Sequence, residues 1–95
     1  MKADLHNHSY YSDGVLSPSE LVEQSNKVGC DLFSLTDHDT TEGIIEAQLE
    51  ADKLSVTLIN GVEISAFWSN MAIHIVGLGI DINCDILQNI IFPLI

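Results

Sequence analysis

The sequence contains no arginine and only three lysines against fourteen acidic residues, for a formal net charge of -11 over 95 residues. Without a basic patch, stable binding to duplex nucleic acid through phosphate contacts is excluded. Cysteine is equally scarce. Cys30 and Cys84 stand far apart in no CxxC spacing, which gives no disulfide framework and reads as two reduced thiols of a cytoplasmic protein. Long apolar runs are missing too: Ile86 to Ile95 is interrupted by Gln88, Asn89 and Pro93 and is too short to cross a bilayer. Met1-Lys2-Ala3-Asp4 opens on polar residues with no apolar core of a signal peptide, so neither secretion nor a membrane location is expected. The glycines form neither a P-loop nor a GxGxxG, and nucleoside triphosphate and dinucleotide binding find no support. There is no internal repeat, low-complexity segment or linker.

What is present suits one small α/β domain. Hydrophobic residues make up 46% of the chain, too many for a disordered segment. A chain of this size buries only about 60% of its unfolded surface, so stability is marginal. Glu20, Glu23, Glu46 and Glu50 fall in helix-like segments, where a solvated surface accounts for them. Bound cations would offset part of the remaining charge.

Residues 2 to 8 read as a first strand that ends on His6 and His8. A polar loop from Ser9 to Leu16 follows, with Ser12-Asp13-Gly14 as its turn. Ser17, Pro18 and Glu20 form a helix start with a capping box; Leu21 and Val28 share a face of that helix, and Gly29 ends it. Cys30 to Thr36 is a second strand running into Asp37-His38-Asp39. Asp39, with Glu42 three positions on, is expected to cap a second helix whose stripe is Ile44, Ala47, Ala51 and Leu54. Val56 to Ile59 is a third strand turning through Asn60-Gly61 into Val62 to Ser65. After a loop at Ala66 to Met71, residues 72 to 80 form a fourth strand, and Asp81 or Asn83 caps a last helix. The alternation of strand and helix predicts a mostly parallel sheet with helical crossovers, whose ligand site lies beyond the carboxyl ends of the strands.

The chemistry-bearing residues gather at those predicted ends. His6 and His8, two apart on a strand, place both imidazoles on one face and can chelate one cation. Asp13 lies close behind them, Asp37-His38-Asp39 ends the second strand, and Glu63 and His74 come from the third and fourth. All four histidines belong to this set. Mixed imidazole and carboxylate ligands suit zinc, manganese or iron better than calcium, and suit a catalytic site better than a structural zinc. More than one ion fits this number of ligands, with Glu63 able to bridge two. Paired cations acidify water and clamp the oxygens of a displacement at phosphorus, which predicts phosphate ester hydrolysis without a serine or cysteine nucleophile. Taken singly, each residue has a plainer role. His74 fits a core histidine, Asp13 a turn, Asp37 and Asp39 helix caps, and Asp37 equally a support for His38. Phe67 and Trp68 fit a substrate pocket or ordinary loop packing.

DLHNHSYYSDG, SLTDHDTTEG, INGVEISAFW and IHIVGLGID resemble successive motifs of the PHP (polymerase and histidinol phosphatase) family, as far as about Asp81. They are nearer to phosphoesterases similar to ribonuclease AM and 3',5'-nucleoside bisphosphate phosphatases than to the PHP domain of replicative polymerases. The resemblance implies a distorted (β/α)7 barrel with up to three metal ions, manganese first and zinc or iron otherwise. It implies that His6 and His8 bind one ion, Asp13 and His38 another, and that Glu63 bridges toward an ion held also by His74. Asp13, His38 and Glu63 would carry the catalysis, with Asp37 and Asp39 supporting them. The implied reaction is attack of metal-bound hydroxide on a phosphomonoester or on the end of a short oligonucleotide, as in a phosphatase or exoribonuclease.

Family members run to more than twice this length, and a barrel of this kind needs about 200 residues or more. Residues 1 to 95 therefore read as the N-terminal part of a PHP domain, clear to about residue 81, with 82 to 95 an unassigned tail. The competing expectation is a truncated, catalytically incomplete metal-binding remnant, or a module completed by a partner chain. An amidohydrolase also opens on His-x-His but adds a carboxylated lysine at a later strand end, and Lys2, Lys27 and Lys53 lie at no such place.

Overall fold

The computed structural model describes residues 1–94. Its centre is a sheet of four strands in the order β1 (Ala3–Asp4), β2 (Leu32–Leu35), β3 (Thr57–Trp68) and β4 (Met71–Leu78). β1, β2 and β3 are parallel, whereas β4 runs antiparallel to β3. Helices α1 (Pro18–Lys27) and α2 (Ile44–Leu54) make the two crossovers and pack on each other. The mostly parallel α/β expectation holds.

Local sequence explains α1 directly. Ser17 accepts a hydrogen bond from the Glu20 N–H at 3.1 Å while Glu20 Oε1 accepts the Ser17 N–H at 3.1 Å, and Pro18 occupies the first turn. Gly29 follows with φ +81°, the left-handed conformation that ends the helix without a Cβ penalty. Leu21 and Val28, which share the heptad spacing, fare differently: Leu21 packs against the core and Val28 does not. Pro18, Val22 and Ser25 are buried, whereas Val28 is exposed, because Val28 has already passed out of the last helical turn. Val22 joins Phe33, Leu35, Ala47, Ala51 and Val56 in the core, and Leu21, Leu54 and Leu58 pack against it.

α2 carries the expected stripe, with Ile44, Ala47 and Ala51 buried. Its start does not follow the expected cap. The helix begins at Ile44 after Gly43 with no side-chain cap, and Asp39 is used elsewhere. Asp39 adopts φ 57° and lends its carboxylate to β3, so it cannot reach the free N–H groups of α2.

The regular β1 ladder is only two residues long, but the chain stays alongside β2 beyond it. The Thr36 N–H donates to the Asn7 carbonyl at 2.8 Å, and the Asn7 N–H donates to Thr36 Oγ1 at 3.1 Å. His6 and His8 are thereby delivered past the end of the ladder.

Asn60-Gly61 is not a turn. β3 passes straight through it for 12 residues. A Cβ on Gly61 would lie 2.4 Å from Ser34 Oγ and 2.8 Å from Thr36 Cγ2, so this glycine marks a close approach between strands. The turn comes later, at Ser69-Asn70, where φ is 48° and 65°. Two successive positive φ values match the twist of an antiparallel hairpin, which explains why β4 reverses where a loop was expected. Beyond β4 the chain forms a π-helical stretch at Leu87–Ile91 and a last turn at Phe92–Leu94. The Asn83 N–H bonds to Asp81 Oδ1 at 2.9 Å. The final residue of the apolar C-terminal run, Ile95, lies outside the described residues. No helix among those described is long and apolar enough to cross a membrane.

Candidate metal centre

β1 and β2 end beside the middle of β3, and the segments that follow them converge on Glu63, which lies within β3 and not at the strand end expected. His6 and His8 come from beyond β1, and Asp37 to Asp39 from beyond β2. The main chain of this second segment pairs with β3 at His38 and Glu63, where the Glu63 N–H donates to the Asp37 carbonyl at 3.0 Å and the Asp39 N–H to the Glu63 carbonyl at 2.9 Å. Asp39 Oδ1 also accepts the Ser65 N–H at 2.8 Å, so Asp39 bonds to β3 at Glu63 and again at Ser65.

Glu63 is the hub. Its side chain is 5% exposed, and Oε1 lies 2.7 Å from both His6 Nε2 and His8 Nε2. Its other oxygen, Oε2, lies 2.8 Å from His74 Nδ1. Burial alone would raise the Glu63 carboxyl, but hydrogen bonds from His6, His8 and His74 outweigh it and lower it to about 2. Asp13 forms the second carboxylate of the site. Its Oδ1 is 2.7 Å from His8 Nδ1 and its Oδ2 is 3.2 Å from His38 Nε2. Partial burial works against ionisation of Asp13, yet the His8 hydrogen bond and the nearby His8 and His38 rings hold its carboxyl below the usual range.

The six expected ligands thus come together, in three overlapping groups: His6, His8 and Glu63; His8, Asp13 and His38; His38, Glu63 and His74. Within each group the donor atoms lie within 4.8 Å of one another. The set is nitrogen and oxygen only, which fits a zinc-, manganese- or iron-type cation. A neutral imidazole has one free lone pair, so His8 and His38 can each serve only one ion at a time. Glu63 has no such limit, because its two oxygens face different histidines.

Asp37 and Asp39 sit beside these residues without touching a ring. Asp37 is buried and accepts hydrogen bonds from Ser9 and Ser12 rather than supporting His38. No sequence signal marks Ser9 or Ser65 as part of the site, and Ser12 carries a turn signal alone. The turn signal at Ser12-Asp13-Gly14 marks a fixed loop, but nothing local points to its partner Asp37, 25 residues beyond Ser12. Phe67 and Trp68 are 80% and 72% exposed on the far end of the β3–β4 hairpin. An open cleft of about 440 Å³ lined by His6, Asn7, His8 and Leu21 borders the site.

A family model described as the PHP domain matches residues 4–85. Among curated proteins, a 5'-3' exoribonuclease of Haemophilus influenzae is 52% identical over 80 residues, covering 84% of this chain and 29% of the relative. A 3',5'-nucleoside bisphosphate phosphatase of Chromobacterium violaceum is 46% identical over 78 residues, covering 82% and 27%. A solved structure from Bifidobacterium adolescentis, provisionally named a metal-dependent phosphoesterase, superposes with a TM-score of 0.91 at 31% identity, covering 99% of this chain and 32% of that one. A Chromobacterium violaceum structure named an amidohydrolase, with bound sulfate and no metal, gives 0.89 at 42% identity, covering 92% and 31%. The chain therefore spans less than a third of these relatives, and its fold matches part of theirs.

Proposed function

The chain belongs to the PHP domain family, and we propose that it is the first part of a metal-dependent phosphoesterase acting on phosphomonoesters or on the ends of short oligonucleotides. The observation that carries this reading is the convergence of His6, His8 and His74 on the two oxygens of one buried carboxylate, Glu63. His6, His8 and Glu63 would hold one divalent cation, Glu63 and His74 a second, and Asp13 with His38 a third, manganese first and zinc or iron otherwise. Bound cations supply acidified water and neutralise phosphate charge. Glu63, with its carboxyl lowered to about 2, stays anionic throughout any working pH range. Asp13 is 63% exposed and, with its carboxyl lowered by His8 and His38, is anionic and suited to bind a cation on the solvent side of the site. His38, beside it, is suited to bind and orient.

The substrate class rests on relatives named as a 5'-3' exoribonuclease and a nucleoside bisphosphate phosphatase. The name amidohydrolase belongs to one solved neighbour and finds no lysine to go with it. Here Lys2 Nζ bonds to the Val28 carbonyl, and Lys53 lies 3.8 Å from Glu50 on α2. Free thiols at Cys30 and Cys84 support a cytoplasmic setting.

A second reading has its own support. The absence of arginine leaves no guanidinium to grip phosphate, and the chain covers 27% to 29% of the two curated relatives above. Alone it would then be a metal-binding remnant, or a module awaiting a partner chain that completes the barrel. Purification with manganese, metal analysis, and assay of phosphate release from a nucleoside 3',5'-bisphosphate distinguish these. Metal with turnover supports the enzyme, metal without turnover the remnant, and no metal contradicts both.

A further inference from the structure

We infer that Asp37 is a positioning residue of the metal centre, which through Ser9 and Ser12 fixes the loop that sets Asp13 between His8 and His38. The inference rests on the proposed metal site and goes beyond its ligands. Asp37 is 1% exposed, and a buried carboxylate is costly unless hydrogen bonds compensate it. Its compensation comes from one loop. Oδ1 accepts the Ser9 N–H at 2.5 Å and the Ser12 hydroxyl at 2.8 Å, and Oδ2 accepts the Ser9 hydroxyl at 2.6 Å. Among the described residues no lysine or histidine pairs with it.

Ser9 passes the constraint on. Its carbonyl accepts the N–H groups of Ser12 at 3.1 Å and Gly14 at 2.9 Å, the two neighbours of Asp13. Its hydroxyl accepts the Tyr11 N–H at 3.2 Å. Gly14 is pressed against the segment that follows β1, since a Cβ there would lie 2.1 Å from the His8 carbonyl oxygen. Asp13 itself is well exposed, and apart from its contacts with His8 and His38 its loop is what holds it. Its position beside His8 and His38 is therefore set by the loop, and the loop is set by Asp37. The arrangement is also economical in sequence. Asp37 precedes His38, whose main chain is paired to Glu63, so one segment fixes both partners of the Asp13–His38 pair.

The test is a zinc titration of the full 95-residue chain, followed through its assigned histidine imidazole NMR signals. In Asp37→Asn the zinc concentration needed to shift His38 should rise about tenfold or more, as for other groups that orient metal ligands, while that for His74 changes less than about threefold. Ser12→Ala removes one of the three bonds without exposing a buried charge, and should show a smaller loss in the same sense. It decides the matter should Asp37→Asn fail to fold. Equal weakening at His38 and His74, or none at either, overturns the inference. A wild-type chain whose histidines ignore zinc overturns the metal site and this inference with it, whereas normal wild-type binding without the selective loss overturns the inference alone.

Discussion

His74 reaches Glu63 diagonally across the hairpin, with Nδ1 2.8 Å from Oε2, although the residue directly opposite Glu63 in the ladder is Val76. Side chains two positions off register share a face of a sheet, so the reversal of β4 is what brings the fourth histidine to the site. A parallel fourth strand would have needed another crossover. Removing either member of this pair should act differently. Glu63→Ala, which deprives three histidines of their common partner, should lower metal affinity by at least about 100-fold, above the range seen for groups behind the ligands. His74→Ala should lower it much less, because His6 and His8 still share Oε1. Calorimetric titration with zinc checks the order; equal losses contradict it.

Acid should weaken the fold through Glu63. Its carboxyl stands at about 2 in the folded chain against 4.5 ordinarily, so the stabilisation is complete above 4.5 and is lost as pH falls from there through 2. The metal-free wild type should accordingly lose thermal stability more steeply in that window than Glu63→Gln. Parallel melting curves across the window would contradict the assignment.

Gly61→Ala should destabilise the chain by about 1–3 kcal/mol, the usual range for overpacking, because the new methyl meets Ser34 and Thr36 on the adjoining strand. Urea unfolding measures it. A neutral result would mean that β2 and β3 separate more easily than the register implies.

Residues 64 to 80 contain no Asp, Glu, Lys or Arg in a chain of net charge -11, and β4 is an edge strand that among the described residues pairs with β3 alone. Such an edge invites association with other chains. Concentration-dependent sedimentation is expected, and Ile75→Lys should reduce it. Ile75 is 53% exposed and, as the neighbour of His74 on a strand, points to the opposite face, so metal binding should be unaffected.

Much of this was legible in the sequence where the cause was local. The Ser17-Pro18-Glu20 start of α1, the Ile44-Ala47-Ala51 stripe and the His6-x-His8 pair each state their role within a few residues. The misreadings are all nonlocal. Asn60-Gly61 carries the signature of a turn, and only the neighbouring Ser34 and Thr36 side chains reveal a glycine kept small for packing. Asp39 has the spacing of a cap and is instead drawn to the Ser65 N–H on β3. The buried Asp37 could not be read at all from its neighbours, since its partners lie in the loop after β1.

The central claim is that these six side chains form a metal centre. The most direct measurement is the amount of manganese or zinc retained per chain after purification and desalting, compared among wild type, His8→Ala and the surface control Glu23→Gln. Metal held by wild type and by Glu23→Gln but lost from His8→Ala is the predicted result; a wild-type chain without metal, or equal retention by all three, would contradict it.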